Sequence, residues 1–231
     1  MFKRTLVNLF LVFTILLTLG VSAVSGAPPA AEALAQEEMT YTVKLGDSLW
    51  ALAEKYLGSG PAYWAIVGAT NAKEEDTSFA HIENPNLIHP GQKLLIPSAV
   101  EPFTARYETY PQPVGPPENG ILTLNIPGDG EGDPLGKSTW DAEMKINVTQ
   151  VPSPQTGIMV FTAANGDQLF GTYEGLGTPA DGPDGPVSFQ GTFQITGGTG
   201  TFEGVTGAGT YWGTSGGSEG SILNFDGMLA R

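Results

Sequence analysis

Nine short apolar-rich runs follow one another between Phe103 and Leu229, and no helix-length periodic segment lies among them. They span 103–110, 120–126, 138–148, 157–163, 168–176, 187–195, 201–205, 210–212 and 221–229, each bounded by Gly, Pro, Asn or Asp. Two alternate without error. Trp140, Ala142, Met144, Ile146 and Val148 interleave with Asp141, Glu143, Lys145, Asn147 and Thr149, while Val187, Phe189, Phe193 and Ile195 interleave with Ser188, Gln190, Thr192 and Gln194. A period of two puts one face of each run in a dry core and the other in water. Asn165-Gly166, between two such runs, is a strong hairpin-turn signal. With 32 Gly and 18 Pro but 40% apolar residues, the composition is turn-rich rather than low-complexity. Eight or nine short antiparallel strands over about 130 residues predict a closed all-β barrel at 101–231, with a sandwich as the alternative.

Charge and side-chain chemistry narrow the function. Ten Lys and Arg stand against 24 Asp and Glu, a formal charge of −14, so the chain repels phosphate backbones and anionic bilayers, and no nucleic-acid partner is expected. Cysteine is absent, which excludes disulfides, thiolate metal sites, a cysteine nucleophile and a lipid-modified cysteine. The two histidines are His81 and His89, so nothing after residue 89 can use an imidazole as base or ligand. Asp129, Glu131 and Asp133 alternate as the start of a calcium loop would, but Pro134 takes the position that needs glycine and Trp140 that of the bidentate glutamate. The stretch is expected to be a solvated acidic turn, and neither a metal site nor a cofactor is read.

At the N-terminus, Lys3 and Arg4 precede an apolar run from Leu6 to Leu19 and the small-residue stretch Val21-Ser22-Ala23. This is the anatomy of an export signal over 1–23, with an uncleaved anchor as the alternative. Cleavage after Ala23 removes two basic residues and leaves eight against 24 acidic ones, a net −16. No membrane contact is expected after that cleavage. The Ala/Pro-rich stretch 24–39 reads as a flexible tether. An exported, acidic chain without cysteine fits a bacterial cell surface, hence a secreted, wall-associated location.

Residues 40–98 read differently from all that follows. Tyr41 and Val43 alternate with polar neighbours as a short strand, and Gly46-Asp47-Ser48 offers a turn and a helix N-cap. Leu49, Leu52, Ala53 and Tyr56 then form one helical stripe, stopped by Gly58 and Gly60. Pro61 opens a second helix, on which Tyr63, Ile66, Val67 and Thr70 share a face and Asn71 stands near the end. A polar loop at 72–83, tight turns at 84–91 and a strand at 93–96 closed by Pro97 complete a β-α-α-β order.

YTVKLGDSLWALAEKYLG, the tryptophan of the second helix, and NPNLIHPGQKLLIP together resemble the lysin-motif (LysM) domain along its whole length. The match rests on a GD[ST]LW start, a Trp and an Asn on the second helix, and an NPNxIxPGQxLxIP end in that order. The loop at 72–83 is the departure: it is longer than the family version and carries Glu74, Glu75 and Asp76. The resemblance implies a small α+β domain that binds N-acetylglucosamine-containing glycans, peptidoglycan or chitin, in a shallow groove between two loops. Gly46, Asp47, Ser48 and Leu49 would form one lip and Asn84, Pro85, Asn86, Leu87 and Ile88 the other. Neutral sugars need only amide hydrogen bonds and apolar patches. Asp47 and Ser48 can equally be helix caps, Asn86 can serve a turn, and Trp50 and Trp64 can be packing.

In the remainder, Gly-Thr-aromatic recurs at 171–173, 191–193, 200–202 and 209–211, a pattern in which glycine permits close approach and the aromatic fills a barrel interior. The run 196–207 resembles a GGTGxFxGxxG turn of allene-oxide-cyclase-like and dirigent-like barrels, and 164–170 resembles a hairpin of secreted bacterial proteins. No catalytic residues of those families can be placed here. The expected whole is a multidomain protein, a βααβ LysM domain followed by an antiparallel barrel. It holds to wall glycan and has no catalytic site. The alternatives are a barrel enzyme, either a carboxylate glycosidase or a cyclase, and a carrier of a small apolar ligand as yet unknown.

Overall fold

The computed structural model describes residues 38–73, 75–180, 185–216 and 220–231. The export signal, positions 24–37 of the tether and Glu74 lie outside the described residues. Strand β1 (Met39–Thr42) pairs antiparallel with β2 (Lys93–Ile96), Met39 opposite Ile96 and Thr42 opposite Lys93. Between them stand α1 (Leu49–Leu57) and α2 (Tyr63–Asn71). Ser48 caps α1 by accepting a bond from the Ala51 amide at 3.2 Å, and Gly58 ends it in the left-handed region at φ 75°. Pro61 lies in a one-turn 3-10 segment, Gly60–Ala62, and α2 follows it at Tyr63.

The rest closes into an eight-stranded antiparallel barrel. Its strands are β3 (Val100–Thr109), β5 (Ile121–Asp133), β6 (Gly136–Asn147), β7 (Ser153–Ala163), β8 (Gln168–Pro179), β9 (Val187–Gly198), β10 (Thr206–Ser215) and β11 (Ser221–Ala230). Strands β5 to β11 form a meander, and β3 closes the wall between β11 and β5. The two-residue β4 (Gln112–Pro113) adds only a short pairing to β5. Closure leaves no long free edge. The alternation read from the sequence holds: Trp140 and Ala142 are buried between exposed Asp141 and Glu143, and Phe193 and Ile195 point inward on β9.

Eight strands enclose a space just wide enough for side chains or one small ligand. Aromatic rings occupy most of it. Phe225 packs edge-on to Phe161 at 5.1 Å and to Phe193 at 5.4 Å between centroids, with Phe103, Tyr107, Trp140 and Tyr211 around it. All four aromatics of the Gly-Thr-aromatic repeat, Tyr173, Phe193, Phe202 and Tyr211, are buried.

Two stretches depart from expectation. The acidic run 129–133 is the end of β5, paired to β3 on one side and β6 on the other, and is not a turn. Its carboxylates face water while Gly130 and Gly132 face inward. A Cβ on Gly130 would overlap the Arg106 carbonyl and crowd the Tyr107 ring, so glycine stands where an apolar side chain would normally reveal the strand. The segment 201–205 is not a strand either: Gly200–Phe202 is a 3-10 turn. Asp167 holds it from the β7–β8 hairpin, its Oδ2 accepting from the Thr201 amide at 3.0 Å and hydroxyl at 2.8 Å.

The two regions share apolar packing. Helix α2 is buried from Ala65 to Asn71, more than a helix with a single core face would be. Ile66 and Val67 join the core formed with Leu49, Leu52 and Leu94, which also takes in Ala208 of β10. Ala65 and Ala69 meet Leu95 and Ala230 in a second cluster. Gly68 lies against Gly207, and a Cβ there would overlap the Gly207 backbone. The junction at 98–102 is itself ordered: β3 starts at Val100, and Ala99 and Arg231 exchange backbone bonds of 3.3 and 3.0 Å.

Candidate functional site

The two loops expected to form lips leave the same end of the β1–β2 ladder. The Val43 amide donates to the Gln92 carbonyl at 2.9 Å, and the Gly91 amide donates back to Val43 at 2.8 Å. These bonds carry the pairing one step past Thr42 and Lys93. The chain 44–48 therefore departs from where 84–92 arrives.

In the first lip, Gly46 adopts φ 91°, and the Asp47 amide closes the turn on the Lys44 carbonyl at 3.1 Å. The Asp47 carboxylate accepts from the Lys44 amide and the Tyr41 hydroxyl, both at 2.8 Å. The backbone bond is the larger cause of a lowered Asp47 pKa, and the same carboxylate pushes the Tyr41 phenol up to about 12. Asp47 and Ser48 thus both serve the turn and the helix start. Leu49 is 2% exposed and sits in the core, so its side chain is withdrawn from the lip. The stripe Leu49, Leu52, Ala53 claims it.

In the second lip, Asn84 Oδ1 accepts from the Asn86 amide at 2.9 Å and the Asn84 carbonyl from the Leu87 amide at 2.9 Å. The turn presents Asn84, Asn86 and Leu87 to solvent, with Pro85 and Ile88 half-buried. Leu87 is 58% exposed. In the first lip Leu45 is 92% exposed, an apolar residue not counted among the lip residues from the sequence. Its signal was position: it falls between the strand and the helix stripe, immediately before Gly46-Asp47. Trp50 is 55% exposed and covers Gly60, with the Tyr63 ring at 6.3 Å.

A cleft of about 550 Å³ runs beside the second lip, between Trp64, Asn71 and Pro85 on one side and the outer wall of β6–β9 on the other. Register aligns Glu143, Ile158, Thr172 and Gln194 in one row of that wall and Lys145, Thr156, Glu174 and Thr192 in the next. Asn71 spans the gap. Its side chain exchanges bonds with both backbone groups of Ile82, at 2.8 and 3.2 Å, and donates to Gln194 Oε1 at 3.3 Å. A second hollow, of about 180 Å³, lies inside the barrel. Among the described residues no cluster of His, Asp or Glu could hold a metal ion, and no helix is long and apolar enough to cross a membrane.

A family model of the LysM domain matches residues 41–68 and 77–97. The gap between the two matched stretches falls at the end of α2 and the acidic part of the long loop. An uncharacterized protein of Deinococcus radiodurans is 45% identical over 60 residues, which are 26% of this chain. The chain spans about a fifth of that relative's length, 20%. No solved structure matches. A LysM domain indicates binding of N-acetylglucosamine-containing glycan, peptidoglycan or chitin, and such domains are typical of extracellular and wall-associated proteins. Residues 41–97 of this chain are a LysM domain, followed by an eight-stranded antiparallel β-barrel.

Proposed function

We propose that the protein is exported, attaches to peptidoglycan or chitin through the lips of its LysM domain, and holds a non-catalytic barrel against the wall. The observation that carries this is that the segments 44–48 and 84–92 join the same end of the β1–β2 ladder and that each carries an exposed leucine, Leu45 and Leu87. Sugar rings offer apolar faces to such side chains and acetamido groups to backbone amides. Gly46 and Asn84, Pro85, Asn86, Leu87 and Ile88 would contact glycan directly, with Asp47 and Ser48 shaping the lip and Leu49 contributing backbone alone. A single lysin motif binds weakly, so multivalent wall polymer is the natural ligand.

Co-sedimentation of the whole chain with insoluble peptidoglycan and with chitin tests this. Leu87→Asp places an unpaired carboxylate against sugar and should cost about 1–3 kcal/mol of binding with the fold intact. Added salt should change little. A steep loss of binding with ionic strength would replace this mechanism with an electrostatic one.

A glycosidase reading draws on Glu143 and Glu174, which line the cleft next to Pro85. It predicts turnover of peptidoglycan or chitin oligomers that Glu143→Gln or Glu174→Gln abolishes. The non-catalytic reading expects no turnover from the parent chain.

A further inference from the structure

Buried aromatic donors without acceptors stand inside the barrel. Trp140 is 3% exposed and Tyr173 6%, and among the described residues neither the indole Nε1 nor the phenol oxygen has a hydrogen-bond partner. Their rings lie 6.2 Å apart, and the Tyr211 ring is 5.5 Å from that of Tyr173. The Tyr211 hydroxyl accepts from Gln155 Nε2 at 2.8 Å, which orients its own proton away from that amide. All four residues line the hollow of about 180 Å³. Buried donors are nearly always paired in folded proteins, and two orphans on one cavity call for an acceptor that the described residues do not supply.

The remaining wall is apolar, with Leu124, Ile126, Met144, Phe189, Leu223 and Phe225 facing the space. Among the described residues no Asp, Glu, Lys, Arg or His lines it. An ionised guest would therefore be stripped of water without a counter-charge. The volume slightly exceeds that of cavities of about 150 Å³ known to take one benzene molecule. Burial raises the pKa of both Tyr173 and Tyr211, so the phenols remain neutral donors across the physiological range.

We propose that the barrel interior binds a small neutral molecule, apolar over most of its surface and about the size of one substituted ring, through a single acceptor such as a carbonyl oxygen held by Trp140 and Tyr173. The hollow lies toward the end where β10 reaches Ser215 and β11 begins at Ser221. Gly207, against which α2 packs, is at the opposite end of β10. Ring binding and glycan binding are therefore independent, and either can fail alone.

The test titrates the whole chain with acetophenone, with ethylbenzene as the same shape lacking the acceptor, and with benzoate as the charged analogue. Calorimetry and thermal shift read saturation. Acetophenone should bind about tenfold tighter than ethylbenzene, and benzoate should not bind. Trp140→Phe and, separately, Tyr173→Phe should bring acetophenone toward the ethylbenzene affinity while leaving ethylbenzene unchanged. Near-UV circular dichroism identifies which of the two variants keeps the native packing, and that one is scored. Absence of saturable binding by any probe, equal affinity for acetophenone and ethylbenzene, or tightest binding of benzoate would each overturn the proposal. So would a folded variant that retains the full preference for the ketone.

Discussion

The LysM domain and the barrel reach a buried core by different routes. The LysM domain works locally: a side-chain cap at Ser48, an Asp47 carboxylate folding its own turn, and helices whose stripes follow from spacing along the chain. The barrel works at long range, through strand ladders that close on themselves and a ring cluster centred on Phe225. A domain of this small size is marginal alone. Here α2 buries its second face on β10 and β11, so the small domain completes its core with Ala208, Met228 and Ala230 of the larger one. What looks in sequence like two beads on a string is one packed body over the described residues.

The sharpest way to break that comparison is to remove the barrel's centre. Phe225→Ala should destabilise by about 3–5 kcal/mol. Because the cores are shared, urea unfolding followed through LysM and barrel signals should show both transitions shifting together. A LysM transition that stays in place would restore the beads-on-a-string picture.

Gly68→Leu acts on the contact alone. The Gly207 backbone has nowhere to retreat, so overpacking should cost about 1–3 kcal/mol. The two unfolding transitions should separate, while sedimentation with glycan persists, since Gly68 lies on α2 and away from the lips.

The smallest effect compares one carboxylate from each half. Asp47 and Asp167 are both held below the ordinary value of 3.8, chiefly by a backbone amide, that of Lys44 and that of Thr201 respectively. A depressed folded-state pKa contributes stability that is present above the unfolded value and is lost as pH falls through the folded one. Acid titration of stability should thus lose a small increment below about pH 3.8. Asp167→Asn and Asp47→Asn should each flatten that limb.

Legibility followed the same division. The α1 stripe and the inward residues of β6 and β9 could be read because apolar side chains mark them. Strand β5 could not be read to its end, because its inward positions at 130 and 132 are glycine, emptied to admit Tyr107 and Ala105. The turn at Gly200–Phe202 lies in a run that resembled a glycine-rich turn and at 201–205 also a strand; local bonds to the Thr199 and Gly200 carbonyls close it, and Asp167, 34 positions from Thr201, adds a hold that spacing alone does not reveal. Leu49 was claimed by both the helix stripe and the lip, and burial decided for the stripe. The second face of α2 carried no signal, since Ala65, Gly68 and Ala69 read as ordinary helix filler. Inward Trp140 was legible as a dry position, but its missing acceptor was not.

Strand β2 runs through Pro97, Ser98 and Ala99 into β3, and β3 is laced to β11 over ten residue pairs and to β5 over six. If the LysM lips are fixed to a wall polymer and the barrel is dragged away, then once the α2 contact with β10 and β11 gives way, tension enters along β3. It then loads those two ladders in shear, many hydrogen bonds at once, rather than peeling them singly. Resistance to forced extraction is set by the rate of unfolding rather than by equilibrium stability. Under such a load the β2–β3 connection would make the barrel a mechanical stop behind a wall-bound LysM domain.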